Sequence, residues 1–125
     1  MARLPGTTIS VNPLRLLEAP SPGFVRESGA TLDEATLIRA VADAGATSGW
    51  HHHGGRDVLG YVVRGRARFE FGPGGAQHVD VPEGSSFHVP AGLIHRDVNP
   101  ADEAHEIVLV LVGDGPLVVP VDGPG

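Results

Sequence analysis

The chain has 125 residues, no cysteine, nine arginines without a lysine and a formal charge of −6, enough length for one hydrophobic core and no second domain. That composition excludes disulfides, thiolate metal sites and lysine Schiff-base chemistry, and its acidic balance argues against nucleic acid, whose phosphates need a broad basic surface. No apolar run approaches the ~20 residues of a membrane span and no secretory signal pattern opens the chain, so the sequence reads as soluble and cytoplasmic.

Residues 1–30 hold Pro5, Pro13, Pro20 and Pro22 with short apolar patches at 11–17 and 24–25. They read as an N-terminal arm with one or two short strands, packed on a neighbouring subunit or along the protein's own surface. Residues 31–44 send two signals. Thr31 and Glu34 have the spacing of a capping box, and the Ala-rich run before Gly45 suits a helix. Leu37, Arg39 and Val41 alternating with Ile38 and Ala40 suit a strand buried on both faces. A strand over 36–43 is the better expectation, because the next segment has to be delivered from an adjacent strand.

That segment, 45–65, carries His51, His52 and His53 in a row. Side chains alternate along a strand, so His51 and His53 share one face while Trp50 and His52 take the other. A third nitrogen comes from His95, just after the Pro90–Gly92 turn, and the three imidazoles make a candidate metal site. Residues 58–71 are two β-type runs hinged near Gly65 and read as a hairpin; 78–81, 86–89, 105–112 and 117–121 are further strands between Gly/Pro turns. Short strands at this spacing, with 18 glycines and 11 prolines, point to an all-β sandwich or barrel.

These residues resemble the cupins. The first cupin motif, G-x5-H-x-H-x3 or 4-E-x6-G, is met by Gly45, His51, His53 and Gly65, with Val58 where the glutamate belongs. The second, G-x5-P-x-G-x2-H-x3-N, is met throughout by Gly84, Pro90, Gly92, His95 and Asn99, and the likeness spans about residues 36–112. It implies a cupin jelly-roll barrel, the double-stranded β-helix, over 31–121, with residues 1–30 as the arm and 122–125 as a tail. It also implies a divalent metal (Fe, Zn, Mn or Ni) on His51, His53 and His95, a small-molecule substrate, and a homodimer.

The missing glutamate leaves Asp57, one residue out of register, as the nearest carboxylate. Asp57 is a ligand if a bulge at Gly54 or Gly55 re-aims it, and otherwise a surface group or a hydrogen-bond partner of the imidazoles. His88 is a candidate fourth ligand or proton carrier, or a hydrogen-bonded structural histidine, and Tyr61 a packing residue or one that orients a substrate oxygen. His52 reads as an outer or interface residue, His78 and His105 as structural, Trp50 as packing, Arg96 as pointing away from the metal and Asn99 as a turn or strand-end residue. Phe69, Val89 and Leu109 are candidate apolar cavity walls. Dioxygenase-type chemistry on an anionic or enolisable molecule is the leading functional expectation. A zinc or manganese cyclase, isomerase or lyase and a non-catalytic binding module are the alternatives.

Overall fold

The computed structural model describes residues 8–18 and 21–125, so Pro5 and Pro20 of the N-terminal segment lie outside the described residues. Among the described residues, eleven strands form two antiparallel sheets. One sheet runs in the order β1 (Arg15–Leu17), β2 (Phe24–Leu32), β3 (Ala35–Ala42), β10 (His105–Val112), β5 (Asp57–Arg64), β8 (Ser86–Val89). The other runs β11 (Val119–Pro120), β4 (His51–His52), β9 (His95–Val98), β6 (Arg66–Phe71), β7 (Gln77–Pro82). No helix among the described residues is long and apolar enough to cross a membrane.

The ambiguous stretch at 31–44 is strand. Thr36, Ile38, Ala40 and Ala42 of β3 are buried in strict alternation, and the would-be helix cap is instead the end of β2 and a tight turn at Asp33–Glu34. Only one face is fully buried, however. On the other, Arg39 donates to Glu27 and to Glu106 from the two flanking strands, both at 2.8 Å, and a charged side chain of that kind keeps contact with water. The N-terminal segment also differs from a loose arm with short strands. β2 is nine residues long and pairs with β3 from Phe24 to Leu32, so it belongs to the six-stranded sheet.

The expected hairpin at 58–71 does not form. β5 pairs with β10 and β8, whereas β6 pairs with β7 and β9, so the chain passes at Gly65 from one sheet to the other. Gly65 has φ +83°, and a Cβ there would come within 2.9 Å of the His105 Cβ and 3.0 Å of the Ala104 carbonyl oxygen. Only glycine combines that backbone with that approach. The Glu83 carboxylate accepts from the Gly65 N–H at 2.9 Å and pins the corner.

The core draws on both sheets. Ile38, Val58, Val89 and Leu111 form one buried cluster, and Val62, Ala67, Val81 and Ile107 a second, with Phe69, Phe87 and Leu109 packed against both. At the end of β9, Asn99 is fully buried and its amide donates to the carbonyls of Ala42, Asp43 and Glu103 while its oxygen accepts from Ala101 N–H. The turn role expected of Asn99 is thus carried by a side chain that ties the β9 end to that of β3.

Candidate metal centre

The site is built by β4 and β9, which meet with His51 opposite His95. β11 closes the other side of β4, placing Pro120 opposite His51, and the Val121 N–H donates to the Trp50 carbonyl at 3.0 Å. Beyond β4 the chain turns at Gly54–Gly55, which leaves His53 on the same side as His51. The rings of His51, His53 and His95 stand 4.5 to 5.2 Å apart between centroids, and one ring nitrogen of each lies within 4.8 Å of the others.

Each imidazole is oriented by a backbone carbonyl. Nδ1 of His51 donates to Gly49 at 2.8 Å, Nδ1 of His53 to Leu117 at 2.7 Å, and Nδ1 of His95 to Leu93 at 2.9 Å. A carbonyl oxygen only accepts, so the proton sits on Nδ1 and Nε2 keeps a free lone pair. Burial is the main influence on all three and lowers their pKa from the ordinary histidine value, which keeps the rings neutral at neutral pH. Three neutral imidazoles with the same nitrogen exposed and the other one fixed suit a divalent first-row ion.

Sequence reasoning missed Asp97. Its Oδ1 lies 3.5 Å from Nε2 of His95 and 3.9 Å from Nε2 of His51, and its Oδ2 accepts from Arg26 of β2 at 3.1 Å. Burial works against its charge, but the imidazoles of His51 and His95, once protonated in acid, and the Arg26 guanidinium outweigh it and hold the carboxyl down to about 2. Half of this was visible in the sequence. Asp97 stands two residues from His95 on one strand and so shares its face; Arg26, 71 residues away, gave no local signal.

The other site candidates lie elsewhere. β5 and β10 pair without a bulge from Val62 to Asp57, so Val58 points into the core and Asp57 points out. Asp57 is therefore corrected from possible ligand to surface group. It accepts from His88 Nε2 at 2.8 Å and from Ala91 N–H at 3.2 Å, and those two bonds lower its pKa. His88 is corrected with it. Phe87 and Val89 face inward, which turns the side chain of His88 to the outside, where it is half exposed. Tyr61, also on the outer side of β5, is 48% exposed and does not line the cavity.

His52 accepts from the Gly54 N–H, and His105, expected to be structural, donates from Nδ1 to the Arg66 carbonyl at 2.8 Å. His105 also contributes to the cavity wall. Arg96 points away from the imidazoles, donating to Glu70 at 2.7 Å with its guanidinium over the Trp50 ring.

The imidazoles and Asp97 open onto a cavity of about 260 Å³. Its remaining wall is mostly hydrocarbon, with Phe69, Phe87, Val89, Ile107, Leu109 and Leu117 prominent. The arrangement can hold an ion at one wall and present it to a small molecule whose body lies against apolar side chains.

Two packed antiparallel sheets around such a cavity, with three imidazoles turned inward, define a jelly-roll barrel of the double-stranded β-helix kind with a candidate metal site. The chain belongs to the cupin domain family, whose model matches residues 39–119. No curated protein matches the sequence.

Among solved structures it is similar to the polyketide cyclase RemF from Streptomyces resistomycificus, at 18% identity over 97% of this chain and 85% of that one, with a TM-score of 0.71. It is also similar to an uncharacterized conserved protein with a double-stranded beta-helix domain from Klebsiella pneumoniae, at 18% identity over 82% and 89% of the two chains and a TM-score of 0.70. Oxalate decarboxylase from Bacillus subtilis matches at 20% identity over 81% of this chain but only 28% of its own length, with a TM-score of 0.67. At these identities the likeness is one of fold.

Proposed function

We propose that the protein is a divalent-metal enzyme acting by dioxygenase-type chemistry on a small anionic or enolisable molecule with a largely apolar body. The observation that carries this reading is the set of three imidazoles, each with Nδ1 tied to a backbone carbonyl, opening onto an apolar cavity. His51, His53 and His95 would hold the ion, and a redox-active one would supply the oxygen chemistry when bound.

The rest falls to the chain itself. Phe69, Phe87 and Leu109 exclude water from the substrate's hydrocarbon part, and the ion's wall receives its oxygen atoms. Besides the three imidazoles, Glu18, Asp97 and His105 on the cavity wall are able to carry a proton. His88, the expected proton carrier, faces outward, and Asp97 has one carboxylate oxygen engaged by Arg26.

A second reading, a zinc- or manganese-dependent cyclase, isomerase or lyase, is favoured by the likeness to a polyketide cyclase along nearly the whole chain. The test is metal content of untagged protein beside His95→Ala, then oxygen uptake by the iron(II)-loaded protein with diketone, thiol and catechol-like substrates. Near-stoichiometric metal lost in His95→Ala, with substrate-dependent oxygen uptake, is the expected result. Undiminished turnover under strict anaerobiosis would sink the dioxygenase reading and leave the second. An inability to take up any divalent metal would leave a non-catalytic binding barrel.

A further inference from the structure

The histidine group has no carboxylate where the family's first motif would supply one. Val58 occupies that position and is 3% exposed in an apolar cluster. The carboxylate that does approach the imidazoles arrives from another strand. Asp97 is fixed through three groups: its N–H donates to Ser48 Oγ at 2.8 Å, its carbonyl accepts from Ser48 N–H at 2.8 Å, and Oδ2 accepts from Arg26 at 3.1 Å. Oδ1 is thereby left aimed at Nε2 of His95, 3.5 Å away, and of His51, 3.9 Å away.

Neither nitrogen has a proton to offer it. Each ring already donates from Nδ1 to a carbonyl, of Leu93 or of Gly49, so Nε2 of the neutral imidazole is an acceptor. An anionic oxygen and two ring nitrogens thus converge on one point, where a cation would be attracted by the carboxylate and could accept the nitrogen lone pairs. Ligand atoms held at ~2.0–2.2 Å from one ion stand roughly 3 to 3.5 Å apart. Oδ1 is already at that separation from His95 and within about half an ångström of it for His51, while His53 lies farther off and would have to close in on an ion shared by all four.

Resting on the metal reading above, we propose that Asp97 is a fourth protein ligand to that ion, delivered by the strand that carries His95, and that Arg26 is its positioning residue. The carboxylate missing at position 58 is restored from across the barrel. Oδ2 stays with Arg26 and Oδ1 binds the ion, so the two oxygens have separate tasks. A divalent ion with three neutral imidazoles and one carboxylate retains a single positive charge, which suits a monoanionic, oxygen-bearing substrate better than a dianion.

The test uses the purified protein with cobalt(II) and zinc(II) as probes. Affinity is measured by competition with a chromophoric chelator, and the cobalt ligand-field spectrum is recorded for the parent, Asp97→Asn, Arg26→Gln and His95→Ala. Asp97→Asn is expected to bind 10-fold to 100-fold more weakly or worse and to shift the cobalt bands, with a smaller loss in Arg26→Gln. Parent-like affinity in Asp97→Asn, or weaker affinity with unmoved cobalt bands, would overturn the assignment, since a through-space charge effect alters affinity without changing the ligand set.

Should Asp97→Asn fail to fold, infrared difference spectra of the parent with and without zinc, with aspartate carboxylates isotopically labelled, decide the matter. A metal-dependent shift of an aspartate carboxylate band is expected, and its absence would refute ligation. A parent that binds no cobalt removes the metal reading itself; a parent that binds it normally while the aspartate signals stay silent removes only Asp97.

Discussion

Replacing Gly60 with alanine should be felt through a single ring. Gly60 lies in the middle of β5, opposite Phe87 of β8 and without a positive φ, so its backbone accepts any residue. What it lacks is room. A Cβ would fall on the distal end of the Phe87 ring, 2.5 and 2.7 Å from Cε1 and Cε2 and in contact with Cζ. Carbon atoms settle near ~3.5–4.0 Å, so the ring must retreat by roughly 1.5–2 Å at its tip, toward Phe69 and the cavity. Overpacking of this kind costs ~1–3 kcal/mol, against which alanine regains ~0.5–1 kcal/mol of strand preference over glycine.

The expected net loss is therefore about 1–2 kcal/mol, or roughly 3–10 °C in Tm for a domain of this size. Thermal and urea unfolding of Gly60→Ala, Phe87→Ala and the double variant measure it. Phe87→Ala alone should cost ~3 kcal/mol, and in its background the alanine at 60 should become neutral or favourable. Equal penalties for Gly60→Ala in both backgrounds would refute the steric account.

Three other outcomes can be checked with the same preparations. Asn99→Ala should lose ~2–4 kcal/mol in denaturant unfolding, because three backbone carbonyls at the β9 end lose their donor; a loss under 1 kcal/mol would mean that water replaces the amide. His88→Ala and Tyr61→Phe, both on the outer face, should leave metal stoichiometry unchanged within error; loss of metal in either would contradict their outward placement.

Metal-free protein should become less stable as pH falls from 6.5. The folded-state pKa values of His51, His53, His95 and His105 are lowered, so below 6.5 the unfolded chain takes up more protons than the folded one. Asp97 adds a second loss, beginning as pH falls below its unfolded value near 3.8 and continuing toward 2. A pH–Tm profile flat between 7 and 5 would contradict the first of these.

The metal face was legible because its parts are local. Alternation puts His51 and His53 together, and a Pro–Gly turn delivers His95. Strand parity also held the information that His88 points outward, since Phe87 and Val89 on either side are the apolar, inward pair. The hairpin at Gly65 was misread for a different reason: a glycine between two β runs looks the same whether the chain reverses on itself or crosses to a second sheet, and only the pairing partners separate the two. Arg26 could not have been read at all. Its partner Asp97 lies on β9 in the other sheet, and the two meet only when the sheets pack together, a long-range event that leaves no trace in the spacing of either residue.

One ligand orientation has a kinetic side. The Nδ1 of His53 is held by the carbonyl of Leu117, 64 positions further on, and the strand carrying His51 is flanked by Val119 and Pro120. Contacts between remote parts of a chain form late, after the loops between them have closed. The imidazole of His53 therefore acquires its final aim only once the C-terminal segment has docked. A half-finished chain emerging from synthesis would have its histidines but no rigid cage, and tight ion capture in any preparation would count the molecules that completed folding.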